Sequence, residues 1–109
     1  MYKQLQPLLF RMDAENAHRL TITALAKAPT ALLRTLYPLR NQPQMKQHLM
    51  NRTFYNPVGL AAGFDKNGEA LSGLMALGFG FVEAGTVTLK PQEGNPRPRI
   101  FRSPAHKAV

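Results

Sequence analysis

The chain has 109 residues, 44% of them hydrophobic, and a formal net charge of +8. That suffices for one modest core and is too apolar for disorder to be the default. It holds no cysteine, which excludes a disulfide scaffold and thiolate metal sites, and no apolar run approaches the roughly 18 residues needed to span a bilayer.

The charge is uneven. Residues 1–52 carry eight Lys/Arg against Asp13 and Glu15, a net +6, whereas residues 53–109 carry six against four. An excess of this kind suits nucleic acid, an anionic membrane surface, or solubility alone. The first residues, M-Y-K-Q-L-Q-P-L-L-F-R, lack the apolar centre of a signal peptide.

Residues 1–37 read as helical. Leu5, Leu8 and Leu9 form a short apolar face that ends near Met12. Asp13 is placed to cap a second helix, with Glu15 in its first turn where the helix dipole favours an acid. Ala17, Leu20, Thr21, Ala24, Leu25 and Ala28 follow helical spacing. Thr30 is placed to cap a third helix, to which Leu32, Leu33, Leu36 and Tyr37 give an apolar side. The basic residues Lys3, Arg11, Arg19, Lys27 and Arg34 recur every seven or eight positions. At about 100° per residue, eight positions turn the direction by about 80°, so the charges spread around a helix. That weakens a nucleic-acid reading, which prefers one basic face. It leaves open a small helical hairpin on a membrane surface, with an apolar groove between its helices.

The polar stretch that follows has two prolines and reads as a linker over residues 38–48. A second domain, residues 49–109, then begins. Residues 58–62 are apolar and compact, as in a buried parallel strand ended by Gly63. Asp65-Lys66-Asn67-Gly68 is turn chemistry. Residues 69–77 fit a short helix with Leu71, Leu74 and Met75 inward and Gly78 at its C-terminal end. Residues 79–84 form the next strand, closed by Gly85-Thr86. Strand, crossover helix and strand in about 30 residues make a βαβ unit. Residues 90–102 are rich in Pro and Arg, and residues 99–102 read as a short extra strand.

Chemistry in parallel α/β proteins sits at such strand ends. Ala61, Ala62 and Gly63 carry almost no side chain, so a flat ring system could lie against the backbone there. Lys66 lies on the same rim, suited to an anionic substrate or to negative charge developing on a reduced cofactor. Thr86 offers a hydroxyl from the neighbouring strand end. The same residues have a plainer reading: small residues serve close helix packing, and D-K-N-G is a common exposed turn. His18 alone reads as a helix-surface or packing histidine, and Arg97, Arg99 and Arg102 as a solvated basic strand.

The run N-P-V-G-L-A-A-G-F-D-K-N-G-E, then G-F-G-F-V-E-A-G-T-V-T, then P-Q-E-G-N-P-R-P-R-I-F-R, closely resembles the membrane-associated, quinone-dependent dihydroorotate dehydrogenases. D-A-E-N-A-H-R resembles the opening of the second helix of their N-terminal domain. The resemblance covers nearly the whole chain. It implies an α/β fold: a helical membrane-associating segment over residues 1–37, then the first strands of an FMN-binding (β/α)8 TIM barrel. Ala62, Gly63, Phe64, Asp65 and Lys66 match the first FMN-binding segment, and Lys66 also matches the lysine that contacts substrate. Thr86 matches a threonine that contacts FMN. His18 and Arg102 match positions lining the quinone tunnel. Phe64 stands where many relatives have leucine, and Ala14 where many have proline.

The implied activity is oxidation of (S)-dihydroorotate to orotate in pyrimidine synthesis, with electrons passing through FMN to a membrane quinone. The implied location is the cytoplasmic side of a bacterial cell membrane, as a peripheral protein without metal or nucleic-acid partner; no transit peptide points to a mitochondrion. Leu5, Leu8, Leu9, Leu32, Leu33 and Leu36 are the expected lining of the quinone entrance. The serine that serves as catalytic base is expected beyond Val109, so the 109 residues read as the N-terminal third of the enzyme, poorly folded and inactive alone. One rival is another FMN barrel oxidoreductase, against which the N-terminal helices argue. The other is a basic module that binds membrane or nucleic acid without catalysis.

Overall fold

A computed structural model of the chain describes residues 2–38, 43–106 and 108–109, with the side chains of Tyr2, Lys3 and Leu5 outside that description. Contacts divide it into two units, Met1–Thr21 with Thr88–Val109, and Ile22–Val87. Helix α2 belongs to both.

In the first unit, α1 (Tyr2–Arg11) precedes the start of α2 (Ala14–Lys27). Asp13 caps α2 as expected. Its Oδ1 accepts the backbone N–H groups of Glu15 and Asn16, each at 3.0 Å, which satisfies two of the donors a helix start leaves unpaired. Ala14 is the first helical residue, a position where proline is also at home. The strand expected over residues 99–102 does not form. Arg99 and Arg102 are bonded instead to Glu15 and to the Met12 carbonyl, and Ser103 and Ala108 form an isolated antiparallel bridge around the 3-10 turn Pro104–His106.

The second unit holds the rest of α2, then α3 (Thr30–Leu36), β1 (Gln47–Leu49), β2 (Arg52–Phe54), β3 (Gly59–Leu60), α4 (Leu71–Ala76) and β4 (Phe81–Val82). Thr30 does not cap α3. Pro29 takes the N-cap position with extended backbone, no side chain caps it, and Thr30 is already helical. The polar stretch read as a linker ends in a β-hairpin: Leu49 pairs with Arg52 across a two-residue turn. Met50 and Asn51 both have positive φ, 52° and 57°, the geometry that matches strand twist in such turns. The linker expected over residues 38–48 thus shares its last two residues with β1, and residues 39–42 lie outside the described ones.

The parallel pair is present. Gly59 faces Phe81 and Leu60 faces Val82, with α4 as the crossover. The named strands are shorter than the apolar runs, yet hydrogen bonding continues on both sides, from Gly80 N–H to Val58 O at 2.8 Å and from Glu83 N–H to Leu60 O at 2.9 Å. Phe54 of the hairpin meets Phe81 edge to face, with ring centroids 5.9 Å apart.

The core of this unit joins Ile22 of α2 to Ala70 and Leu74, flanked by Leu25, Leu60, Phe64, Phe79 and Val82. Of the three residues expected to face inward from α4, Leu74 is buried while Leu71 and Met75 are exposed. The buried stripe runs instead through Ala70, Gly73 and Leu74. Gly73 explains the shift: any Cβ there would strike the Leu25 carbonyl oxygen, so small residues let α4 approach α2 backbone to backbone. On α2, Ala17 and Ile22 are buried and Leu20 is exposed. No helix among the described residues is long and apolar enough to cross a membrane.

Candidate functional site

The ends of β3 and β4 are joined by their backbones. Gly63 N–H donates to Gly85 O at 3.0 Å, and Gly85 N–H donates to Asp65 O at 3.4 Å. The loop after the first parallel strand therefore lies against the loop after the second. Gly63 has φ +101°, and a Cβ built on it would meet nothing within 4 Å. Ala61, Ala62 and Gly63 are exposed, so the side-chain-free strip faces open space.

Asp65 is 2% exposed. Its Oδ1 accepts the N–H of Glu69 at 2.9 Å and its Oδ2 the N–H of Ala70 at 2.8 Å. Both carboxylate oxygens are thus committed to folding the loop into the start of α4. Lys66, the next residue, is exposed beside this fixed turn, and Thr86 is exposed beside Gly85. Phe64 is half-buried against the Ile22–Leu74 cluster, where leucine would also pack. The structure brings together the neighbourhoods of Gly63, Asp65 and Gly85, and the loops that carry Ala62, Lys66 and Thr86 with them. These residues fit a flat, polar-edged ring system: bare backbone in open space, one ammonium and one hydroxyl.

Asn56 was missed by sequence reasoning. Its side chain donates to Gly78 O at 2.9 Å and accepts from Val58 N–H at 2.9 Å. It ties the start of the first strand segment to the turn that follows α4. The signal available was its place just before Pro57.

The first unit contains His18 and Arg102. His18 is half-buried on α2. Arg102 donates from Nη1 to Met12 O at 2.8 Å and to Phe10 O at 3.4 Å, and its guanidinium carbon lies 4.8 Å from the Phe10 ring centroid. A cation therefore closes the C-terminal end of α1, where carbonyls lack partners, and stacks on an aromatic face.

Glu15 is the other residue that sequence reasoning under-read, as a dipole contact only. It is 8% exposed. Its Oε1 accepts from Arg99 Nη2 at 2.7 Å and Nε at 3.2 Å, and pairs with Arg97 Nη2 at 3.2 Å. The Arg99 hydrogen bonds hold the Glu15 carboxyl below its ordinary range; burial opposes this, the two arginine charges reinforce it, and Asp13 opposes it weakly. Arg99 also donates from Nη1 to the carbonyls of Glu93 and Asn95.

Of the expected quinone-entrance leucines, Leu8, Leu32 and Leu36 are exposed and Leu9 is half-buried. Leu33 is buried, the single buried residue of α3, and Leu5 has a side chain outside the description. Among the described residues no group of three or more His, Asp or Glu could hold a metal ion.

The sequence model of the family described as Dihydroorotate dehydrogenase matches residues 44–108. Curated relatives named dihydroorotate dehydrogenase (quinone) align with the whole chain. One from Alkalilimnicola ehrlichii is 50% identical over 109 residues, and one from Chromobacterium violaceum is 52% identical over 111. The chain spans about a third of the length of these relatives, 32% and 31%. Among solved structures, a crystal structure of DHODH in complex with ferulenol from Eimeria tenella is 49% identical, with a TM-score of 0.69 over 81% of this chain and 22% of that one.

Proposed function

The chain belongs to the dihydroorotate dehydrogenase family, and we propose that it forms part of a quinone-dependent enzyme that oxidises (S)-dihydroorotate to orotate in pyrimidine synthesis. The single observation that carries the site is the backbone pairing of Gly63 and Asp65 with Gly85, which gathers the small residues, Lys66 and Thr86 at one pair of strand ends. On this reading β3–α4–β4 opens a (β/α)8 barrel, whose chemistry sits at the C-terminal ends of its strands.

Ala62, Gly63, Phe64, Asp65, Lys66 and Thr86 would hold FMN, with Asp65 acting through the loop it folds. FMN, when bound, supplies a two-electron acceptor for the hydride leaving C6 of dihydroorotate. The proton at C5 goes to a base outside residues 1–109. Lys66 places its ammonium on the substrate carboxylate or on negative charge that develops as the hydride leaves. In a site that excludes water such a charge acts strongly.

Residues 1–37 would form the quinone-access segment, lying on the cytoplasmic face of the cell membrane as a peripheral element. Support comes from exposed Leu8 and Phe10 on α1 and exposed Leu32, Leu36 and Tyr37 at α3, together with the net +6 of residues 1–52. Basic residues near an anionic surface contribute about 1 kcal/mol each. His18 and Arg102 would line the quinone path. Family membership favours the enzyme reading over the non-catalytic basic module, whose support is the charge excess alone.

The test is the visible spectrum of the full-length enzyme during addition of dihydroorotate and then of a quinone. Bleaching of a flavin band by dihydroorotate and its return with quinone is the expected result. A yellow protein indifferent to dihydroorotate would point to another flavin oxidoreductase.

A further inference from the structure

Glu15 and Asp65 are the buried acidic residues among the described ones. Asp65 is consumed by its own loop, whereas Glu15 reaches a partner 84 positions away. That partner contact is one of two. Met12 O accepts from Arg102, and Glu15 accepts from Arg99. Residues 12 and 15 lie three apart, and so do 99 and 102, so the segment bearing Arg102 is fastened to the start of α2 by two rungs. Glu15 also stands three positions before His18, on the same side of α2.

We infer that Glu15 is a positioning residue for quinone reduction, holding through Arg99 the segment that places Arg102 over Phe10 at the end of α1. The inference rests on the proposal that His18 and Arg102 line the quinone path. Arg99 is suited to the task because its donors are divided. Nε and Nη2 grip Glu15, while Nη1 grips the carbonyls of Glu93 and Asn95, so the preceding loop and the helix are fixed by one planar fork. Arg97 cannot replace it. Its side chain is 57% exposed and makes a single contact, the kind of ion pair that contributes little. Without the Glu15 rung, Arg102 keeps only its carbonyl contacts and its ring, and samples more positions.

The experiment uses the full-length enzyme and separates its half-reactions by stopped flow. Glu15→Gln and Arg99→Lys are each expected to raise KM for a short-chain benzoquinone about tenfold. They should weaken its binding in calorimetric titration by the same factor, and leave flavin reduction by dihydroorotate within about twofold. Because Glu15 acts through Arg102, Glu15→Gln added to Arg102→Gln should do no further harm, a non-additivity that a general loss of stability would not give. A normal quinone KM in both single variants, equal losses in both half-reactions, or additive losses in the double variant overturns the inference. A wild-type enzyme that quinone cannot reoxidise overturns the proposed function and this role with it.

Discussion

Asp65 Oδ2 accepts the backbone N–H of Ala70 at 2.8 Å, and both residues are only 2% exposed. With Glu69 N–H on the other oxygen, one carboxylate closes the loop of the candidate site and starts the helix behind it. Asp65→Ala would strand a buried N–H and remove two charge-assisted hydrogen bonds, for a loss of about 2–3 kcal/mol. Asp65→Asn, with one acceptor oxygen in place of two, should lose about half of that. Urea unfolding of the two variants beside wild type checks both, and equal stability of all three would refute the capping role.

Lys66 is expected to matter to chemistry and little to stability, since it is exposed on a loop that Asp65 holds. Lys66→Ala in the full-length enzyme should slow flavin reduction by dihydroorotate by about 100-fold or more, the scale of losing one preorganised charge-stabilising group. Unchanged reduction kinetics in a stopped-flow trace would remove it from the mechanism.

Gly73→Ala drives a methyl group into the Leu25 carbonyl. Neither partner is a flexible side chain, so α2 and α4 must separate. The expected loss is about 1–3 kcal/mol, despite alanine's better helix propensity. A melting temperature equal to or above wild type would show that the two helices can part freely.

Met50 occupies a left-handed backbone conformation, φ 52°, at the tip of the hairpin and is 95% exposed. A side chain there costs about 1 kcal/mol that asparagine or glycine largely avoids. Met50→Asn should therefore stabilise the protein by about 0.5–1 kcal/mol, read as a higher denaturation midpoint. A lower midpoint would assign Met50 a contact that its exposure does not suggest.

The Glu15 pairing has a pH signature with a definite sign. Its folded pKa lies below the ordinary 4.5 because Arg99 donates to the ionised form. The pair's stabilisation is fully present above the unfolded value and is lost as pH falls through the folded one. Wild type should exceed Glu15→Gln in melting temperature by a constant margin at neutral pH, and the margin should shrink below about pH 4.5. A margin that grew on acidification would reverse the sign. A carbon-detected NMR titration with a Glu15 midpoint above 4.5 would contradict the direction of the shift.

Asp13, Gly63 and the parallel strand–helix–strand unit were legible because local chemistry and tertiary structure agree there. A capping carboxylate, a bare strand end and two compact apolar runs each have one economical arrangement. The hairpin was not legible, because Met50-Asn51 is not the usual glycine-bearing turn and its strands are three residues each, mostly exposed, with no apolar alternation. The inward face of α4 was misplaced because apolar periodicity gives weight to Leu71 and Met75, while the structure turns Gly73 inward, where only a residue without a Cβ clears the Leu25 carbonyl. Glu15 was underestimated for a different reason: a partner 84 residues away leaves no trace in local spacing. The roles proposed for the strand-end residues rest on the family resemblance, because composition and periodicity carry no sign of them.

The stitched glycines have a consequence for motion. With Gly63 N–H on Gly85 O and Gly85 N–H on Asp65 O, neither strand-end loop can open without breaking a bond to the other. Their amides should exchange with solvent in a single cooperative event, on the same timescale and with the same denaturant sensitivity. A molecule that touches only one of the loops would then be reported by protection in both.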